Sequence, residues 1–234
     1  VKGILYYTDN RLREDVSKAC INQINKSRNG YPIVSVSQKP MDFGTNIVMD
    51  IGRSQLSMFK QILAGLRAIE TDIVFFCEHD CLYNSSHFDF TPPKKDIYYF
   101  NTNVWSVRAD TGETLHYDGM KKTSGLVAYK GILLEHYTDK VKLIEKEGWS
   151  QKKHGFEPGR KKSKGRPNDY DWECFESAYP YVDIKHDSNI TKTRWSIKQY
   201  RRREERLKSW VKADGIPYWG KTEGRFDDFI KEYA

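Results

Sequence analysis

The chain has 234 residues and a formal net charge of +7. It is polar for a globular protein, with 38% hydrophobic and 30% charged residues and a mean hydropathy of −0.76. Yet 6 Trp, 15 Tyr and 11 Phe exclude a disordered chain, which would be poor in aromatics. The longest apolar run, Ile73 to Cys77, is far short of the roughly 20 residues of a membrane span.

Taken in chain order, residues 3–8 (GILYYT) read as a buried strand that ends in the polar loop Asp9-Asn10-Arg11. Val16, Ala19, Cys20 and Ile24 have helical spacing over 13–27, and Asn29-Gly30 stops that helix. Residues 32–37 read as a second strand. Over 54–70, Ser54 is an N-cap and Leu56, Phe59, Ile62, Leu63, Leu66 and Ile69 line one helix face. Residues 71–80 (TDIVFFCEHD) form an apolar strand that turns polar at its carboxyl end. Tyr98–Phe100 is a further strand, and Val104–Arg108 with Thr114–Tyr117 predict a hairpin. Gly125–Tyr129 is a strand leading into a helix over 131–147. A helix over 169–178, a strand at Val182–Ile184, a basic helix over 195–212 and a Gly- and aromatic-rich tail complete the chain.

Strand–helix–strand–helix order in the first 80 residues predicts a parallel sheet covered on both faces, and the later hairpins make the sheet mixed. The predicted class is therefore α/β: a Rossmann-type mixed sheet, parallel in its N-terminal half, with helices on both faces. Residues 1–194 are expected to form one domain, with 195–234, the basic helix and tail, packed on it. Four cysteines, at 20, 77, 81 and 174, make no disulfide framework and suit a reducing compartment. No signal peptide is read at the start, where Lys2 precedes only the short apolar stretch Ile4 to Tyr7. The chain opens on Val1 rather than Met, which leaves room for residues upstream.

The positive charge is concentrated. Residues 151–168 hold seven Lys/Arg and one Glu, and 192–212 hold nine Lys/Arg and two Glu, so against the total of +7 the remaining residues carry −6. Two basic segments on an acidic body attract phosphates, whether of a nucleotide, a nucleic acid or a membrane surface, although a solvated face would have the same composition. The first segment, rich in Gly and Pro, is expected to be a mobile loop.

In open α/β sheets ligands bind beyond the carboxyl ends of the strands. Glu78-His79-Asp80 emerges there. Strand alternation puts Glu78 and Asp80 on one face, a hard-oxygen pair suited to Mn²⁺ or Mg²⁺ with a diphosphate. Two other readings stand beside it: a polar strand end opening a turn, and a zinc site from Cys77, His79 and Cys81.

A first strand ending in a polar loop, a helix, an apolar strand and then an acidic-x-acidic triplet resembles the GT-A type of nucleotide-sugar glycosyltransferase, in particular its inverting, family 2-like members. Their Asp-x-Asp motif holds a divalent metal that bridges the donor's diphosphate. Here the first acid is Glu. The resemblance implies a hexosyl- or pentosyltransferase using a nucleotide-sugar, a UDP-sugar first, with Mn²⁺ or Mg²⁺ on Glu78, Asp80 and a late histidine, His186. It implies that Thr8, Asp9 and Arg53 meet the nucleotide, Gly125 lets the sugar approach, and Lys192 and Arg194 clamp the diphosphate. Asn168-Asp169 resembles the Glu-Asp pair whose Asp serves as base, making Asp169 the first candidate and Asp171 the second. The charge of Arg201, Arg202 and Arg203 fits an acceptor in DNA, such as a hydroxymethylated base, as in phage-type DNA glycosyltransferases. That reading implies a cytoplasmic enzyme of a bacterial or phage-infected cell. The alternatives are an enzyme acting on a cell-surface or lipid-linked glycan, and a non-catalytic nucleic-acid-binding module. A nucleotidyltransferase would want a Gly-rich loop near the first strand, which Tyr7-Thr8-Asp9-Asn10-Arg11 lacks.

Overall fold

The computed structural model describes residues 1–159, 170–191, 193–199 and 209–234. The apolar run at 73–77 forms the centre of the molecule. It makes strand β4 (Ile73–Glu78), which pairs in parallel with β1 (Lys2–Tyr7) so that Tyr7 and Glu78 stand level at the carboxyl ends. After β1 come α1 (Glu14–Ser27), β2 (Ile33–Ser37), β3 (Thr45–Val48) and α2 (Gln55–Ala68), and β1, β2 and β3 are all parallel neighbours. Beyond β4 lie β5 (Cys81–Leu82), α3 (Ser86–Asp89), β6 (Ile97–Asn101), β7 (Val104–Arg108), β8 (Thr114–His116), β9 (Leu126–Tyr129), α4 (Lys130–Glu147) and α5 (Gln151–His154). The chain closes with β10 (Asp171–Phe175), β11 (Tyr181–Lys185), β12 (Val211–Ala213), β13 (Gly215–Ile216), β14 (Gly220–Lys221) and α6 (Phe226–Lys231).

Among the described residues, seven strands form one sheet in the order β10-β6-β9-β4-β1-β2-β3, with β9 running antiparallel between β6 and β4. This is the expected mixed sheet, parallel in its N-terminal half. Leu5, Tyr7, Val34, Val36, Val74 and Phe76 point to one face. There they pack on Phe59, Ile62 and Leu66 of α2 and on Leu133, Tyr137 and Val141 of α4. Ser54 caps α2 as expected, its hydroxyl accepting from the Ser57 N–H at 3.0 Å. Ile4, Tyr6, Phe75 and Cys77 point to the opposite face, onto Ile24 of α1 and a second sheet, β12-β8-β7-β11-β5. The C-terminal tail packs on the outer side of α1: Trp219, Phe226, Phe229 and Ile230 share a cluster with Val16, Ala19, Val107 and Ile184.

The C-terminal third departs from expectation. Residues 171–175 are an exposed edge strand, parallel to β6, and not the start of a helix. Asp-Trp-Glu-Cys-Phe alternates with a period of two, and pairing to β6 outweighs the acidic first-turn signal at its start. Of the basic helix expected over 195–212, residues 200–208 lie outside the described ones. Ile197–Gln199 is a single 3₁₀ turn and Val211–Ala213 is a strand paired to β8. In the basic loop, Gln151–His154 is a short helix, and residues 160–168 lie outside the described ones.

Candidate active site at the carboxyl ends of β1 and β4

A cleft of about 1600 Å³ opens beyond the carboxyl ends of β1 and β4. Its first wall is built by the β1 end and the α2 N-terminus. Thr8, buried as β1 ends, accepts at its carbonyl from Gln61 Nε2 of α2 at 2.9 Å. Asp9 Oδ2 accepts from Arg53 Nε at 2.6 Å, and the same guanidinium donates to the Ser188 carbonyl. Asn10, at φ +56°, sits in the left-handed region that Asn tolerates, and its Oδ1 accepts from the N–H groups of Gln38 and Lys39 at 2.7 and 2.9 Å. That tie fixes the loop carrying Asp9 against the end of β2.

The floor is the Glu78-His79-Asp80 segment. β4 ends at Glu78, so the strand alternation expected to continue through Asp80 stops there. His79 consequently turns into the cleft, its Nδ1 2.7 Å from Thr8 Oγ1, while Cys77 and Cys81 stay in the core. Two groups of ligand atoms converge among the described residues, His79-Asp80-His186 and Glu78-Asp80-Cys81, each with all atoms within 4.8 Å. The Cys77-His79-Cys81 combination considered for zinc is not one of them. Tyr7 Oη donates to Glu78 Oε1 at 2.7 Å. Burial, reinforced by the charge of Asp80, pushes the Glu78 carboxyl up to about 8. Burial also works to raise Asp80, but the hydrogen bond from His186 and the charges of His79 and Lys185 outweigh it and hold Asp80 below the usual carboxylate range.

The far side of the floor belongs to the second sheet. Asp183 on β11 is buried and accepts from Lys122 Nζ and from Lys185 Nζ, the latter at 2.7 Å. Lys122 also donates to Ser106 Oγ on β7 at 2.7 Å. Burial lowers Lys122 below the usual lysine range. Burial would lower Lys185 too, but Asp183 and Asp80 more than offset it and raise that lysine. The rim is aromatic. Trp149 and Phe156 pack on Phe59 at ring distances of 5.4 and 6.3 Å, and Lys140 Nζ, inside this cluster, donates to the Phe156 carbonyl at 2.8 Å.

Of the candidate residues, Thr8, Asp9, Arg53, Glu78, Asp80 and Arg194 line the cleft, and His186 meets Asp80 at its edge, Nε2 to Oδ2 3.4 Å. Gly125 does not line it. Gly125 is buried, and a Cβ there would lie 2.7 Å from the Asn101 carbonyl oxygen and 2.9 Å from Tyr181 Oη, so close packing explains this glycine. Asp171 is exposed on β10, and its neighbour Trp172 is the residue of that strand that lines the cleft. Asp169, Lys192, Arg201, Arg202 and Arg203 lie outside the described residues. Sequence reasoning missed Asp183, Lys122 and Lys185, which come together only through strand pairing. It read His79 only as a candidate zinc ligand.

No protein-family model and no curated protein sequence matches the chain. Similar solved structures are glycosyltransferases. One is described as involved in the glycosylation of the major capsid of PBCV-1, at 12% identity and TM-score 0.41, covering 75% of this chain and 81% of that one. Another is apo-form GlyE of Streptococcus pneumoniae TIGR4, at 11% identity and TM-score 0.37, covering 62% of this chain and 39% of that one. A second GlyE structure gives 9% identity and TM-score 0.39 over 62% and 38%. The chain thus spans well under half the length of GlyE. Among the described residues no helix is long and apolar enough to cross a membrane.

Proposed function

We propose that the chain is a metal-dependent, GT-A-type inverting glycosyltransferase that moves a sugar from a nucleotide-sugar, a UDP-sugar first, to an acceptor hydroxyl. One observation carries the reading. Asp80 belongs to two groups of ligand atoms at the strand ends, one with His79 and His186 and one with Glu78 and Cys81, in the same cleft as the Asp9–Arg53 pair. Carboxylate oxygens with imidazole nitrogens suit a divalent cation of the Mn²⁺ or Mg²⁺ kind, and Asp80, held ionised, supplies the charge. Such a cation, held by Asp80 with His79 and His186, and with Glu78 beside Asp80, would neutralise charge developing on a leaving diphosphate.

The chain's own residues divide the remaining work. Asp9 accepts from base or ribose donors. Arg53 orients Asp9, and Arg194, which lines the same cleft, pairs with phosphate oxygens. Asp183, oriented by Lys122 and Lys185, accepts from sugar hydroxyls while the two lysines donate. The aromatic rim of Trp149, Phe156 and Trp172 restricts water around the transferred sugar. Asp169 is the proposed base for the acceptor hydroxyl.

A thermal-shift panel of UDP-, GDP- and CMP-sugars, each with and without Mn²⁺, tests the reading. A cognate donor at about 100 times its Kd adds about 2.7 kcal/mol, or roughly 5–10 °C for a chain of this size. The expected result is a shift with one nucleotide class that requires Mn²⁺. No shift with any donor at millimolar concentration, with or without Mn²⁺, would remove the proposal.

A further inference from the structure

Asn189 lies against two of the proposed cation ligands, Asp80 and His186. It closes a turn after β11: its N–H donates to the His186 carbonyl at 3.1 Å, and its Oδ1 accepts from the His186 N–H at 2.9 Å. These two bonds close the turn, and the amide Nδ2 lands between two proposed ligand atoms. It lies 2.8 Å from Asp80 Oδ2 and 3.1 Å from His186 Nε2, while those two atoms are 3.4 Å apart. The triangle has a chemical meaning. Ligand atoms about 2.1–2.4 Å from a cation in octahedral geometry are separated by about 3.0–3.4 Å along each edge of the octahedron. Two of the three separations fall in that range and the third, 2.8 Å, is slightly shorter, and the turn brings Asn189 to Asp80 across 109 residues of chain.

We propose that Asn189 is a ligand of the divalent cation through its side-chain oxygen, completing a face with Asp80 and His186. This rests on the cation site proposed above and adds a residue to it. The amide's two ends are nearly the same size and differ in polarity, one donating and the other accepting. Beside a bare carboxylate the –NH₂ end is the favoured neighbour, because a carboxylate only accepts. Beside a cation the preference reverses, and a half-turn of the terminal torsion brings Oδ1 to the place Nδ2 occupies, giving up the bond from the His186 N–H in exchange for the ion. Asn189 thereby keeps Asp80 and His186 in ligand spacing before the ion arrives and joins them afterwards. Arg53, by donating to the carbonyl of the adjacent Ser188, ties this turn to Asp9 at the nucleotide end of the cleft.

Mn²⁺ titration of the whole chain followed by electron paramagnetic resonance, without nucleotide, tests the assignment. Asn189→Ala should weaken Mn²⁺ binding by about 10-fold or more. Asn189→Asp offers an oxygen and no donor, so it should bind Mn²⁺ as tightly as the parent or more tightly. Melting of each variant in EDTA checks that the fold is kept. If Asn189 only steadies Asp80 by donating, Asn189→Asp loses affinity as well, and the assignment is overturned. Parental affinity in Asn189→Ala overturns it too. If the parent chain itself binds no Mn²⁺, the cation site fails as a whole, an outcome distinct from failure of Asn189 alone.

Discussion

Replacing Asp183 with leucine is expected to destabilise the protein by about 3 kcal/mol, the lower end of the range for removing one partner of a buried ion pair. The Asp183 side chain is 3% exposed and serves two ammonium groups, Lys122 at 19% and Lys185 at 24% exposure. Without the carboxylate, Lys122 keeps its bond to Ser106 Oγ at 2.7 Å but loses the counter-charge. Lys185, the more exposed, can turn toward Asp80 and water, which is why the lower end applies. For a chain of this size the loss corresponds to a fall in Tm of roughly 6–12 °C. Lys122→Met combined with Asp183→Leu removes the stranded charge with its partner, so the double variant should recover most of the loss. The pH dependence has a definite sign. Burial works to raise the Asp183 carboxyl, but Lys122 and Lys185 outweigh it and hold it below the usual range. Its stabilising contribution is therefore complete above about pH 4 and is lost as pH falls through the lowered folded value. Urea unfolding followed by circular dichroism, at pH 7 for the variants and from pH 7 to 3 for the parent, measures both effects. An Asp183→Leu variant within 0.5 kcal/mol of the parent, or a double variant no better than the single, would refute the reasoning.

His87 should make the protein acid-sensitive. Its ring is fully buried, Nδ1 lies 2.9 Å from Asn101 Nδ2, and burial pushes it down to about 3. The unfolded chain takes up a proton that the folded ring refuses, so this residue lowers stability by about 1.4 kcal/mol per pH unit below about 6.5. Urea midpoints from pH 7 to 4 should fall more steeply in the parent than in His87→Phe, and equal slopes would count against it. Gly125→Ala should cost about 1–3 kcal/mol, because its methyl would meet the Asn101 carbonyl at 2.7 Å. A melting curve matching the parent's would show that the backbone gives way there.

The N-terminal half of the fold was legible because its signals are local. Ser54 with the Phe59-Ile62-Leu63-Leu66 stripe announces α2, and the unbroken run from Ile73 to Cys77 announces a strand buried on both faces. β3, with four residues and half-exposed side chains, offers no such pattern and was missed. At β10 two local signals conflicted. Acids ahead of an aromatic resemble a helix's first turn, and only pairing with β6, 74 residues earlier in the register Asp171–Ile97, decides for a strand. The site divides in the same way. Glu78-His79-Asp80 is contiguous and could be read directly. The Lys122–Asp183 pair spans 61 residues and Asn189–Asp80 spans 109, so both follow from where β11 runs and not from any motif.

The central claim is that Asp80 anchors a cation needed for donor binding. Isothermal titration of a UDP-sugar into the parent and into Asp80→Asn, each with Mn²⁺ and with EDTA, tests it most directly. Asp80 lies just past the end of β4 and not within the strand, so the asparagine variant should keep the fold, which its circular dichroism would show. The account predicts Mn²⁺-dependent binding in the parent and its loss in Asp80→Asn. Binding of equal strength in both proteins, with the same dependence on Mn²⁺, would contradict it.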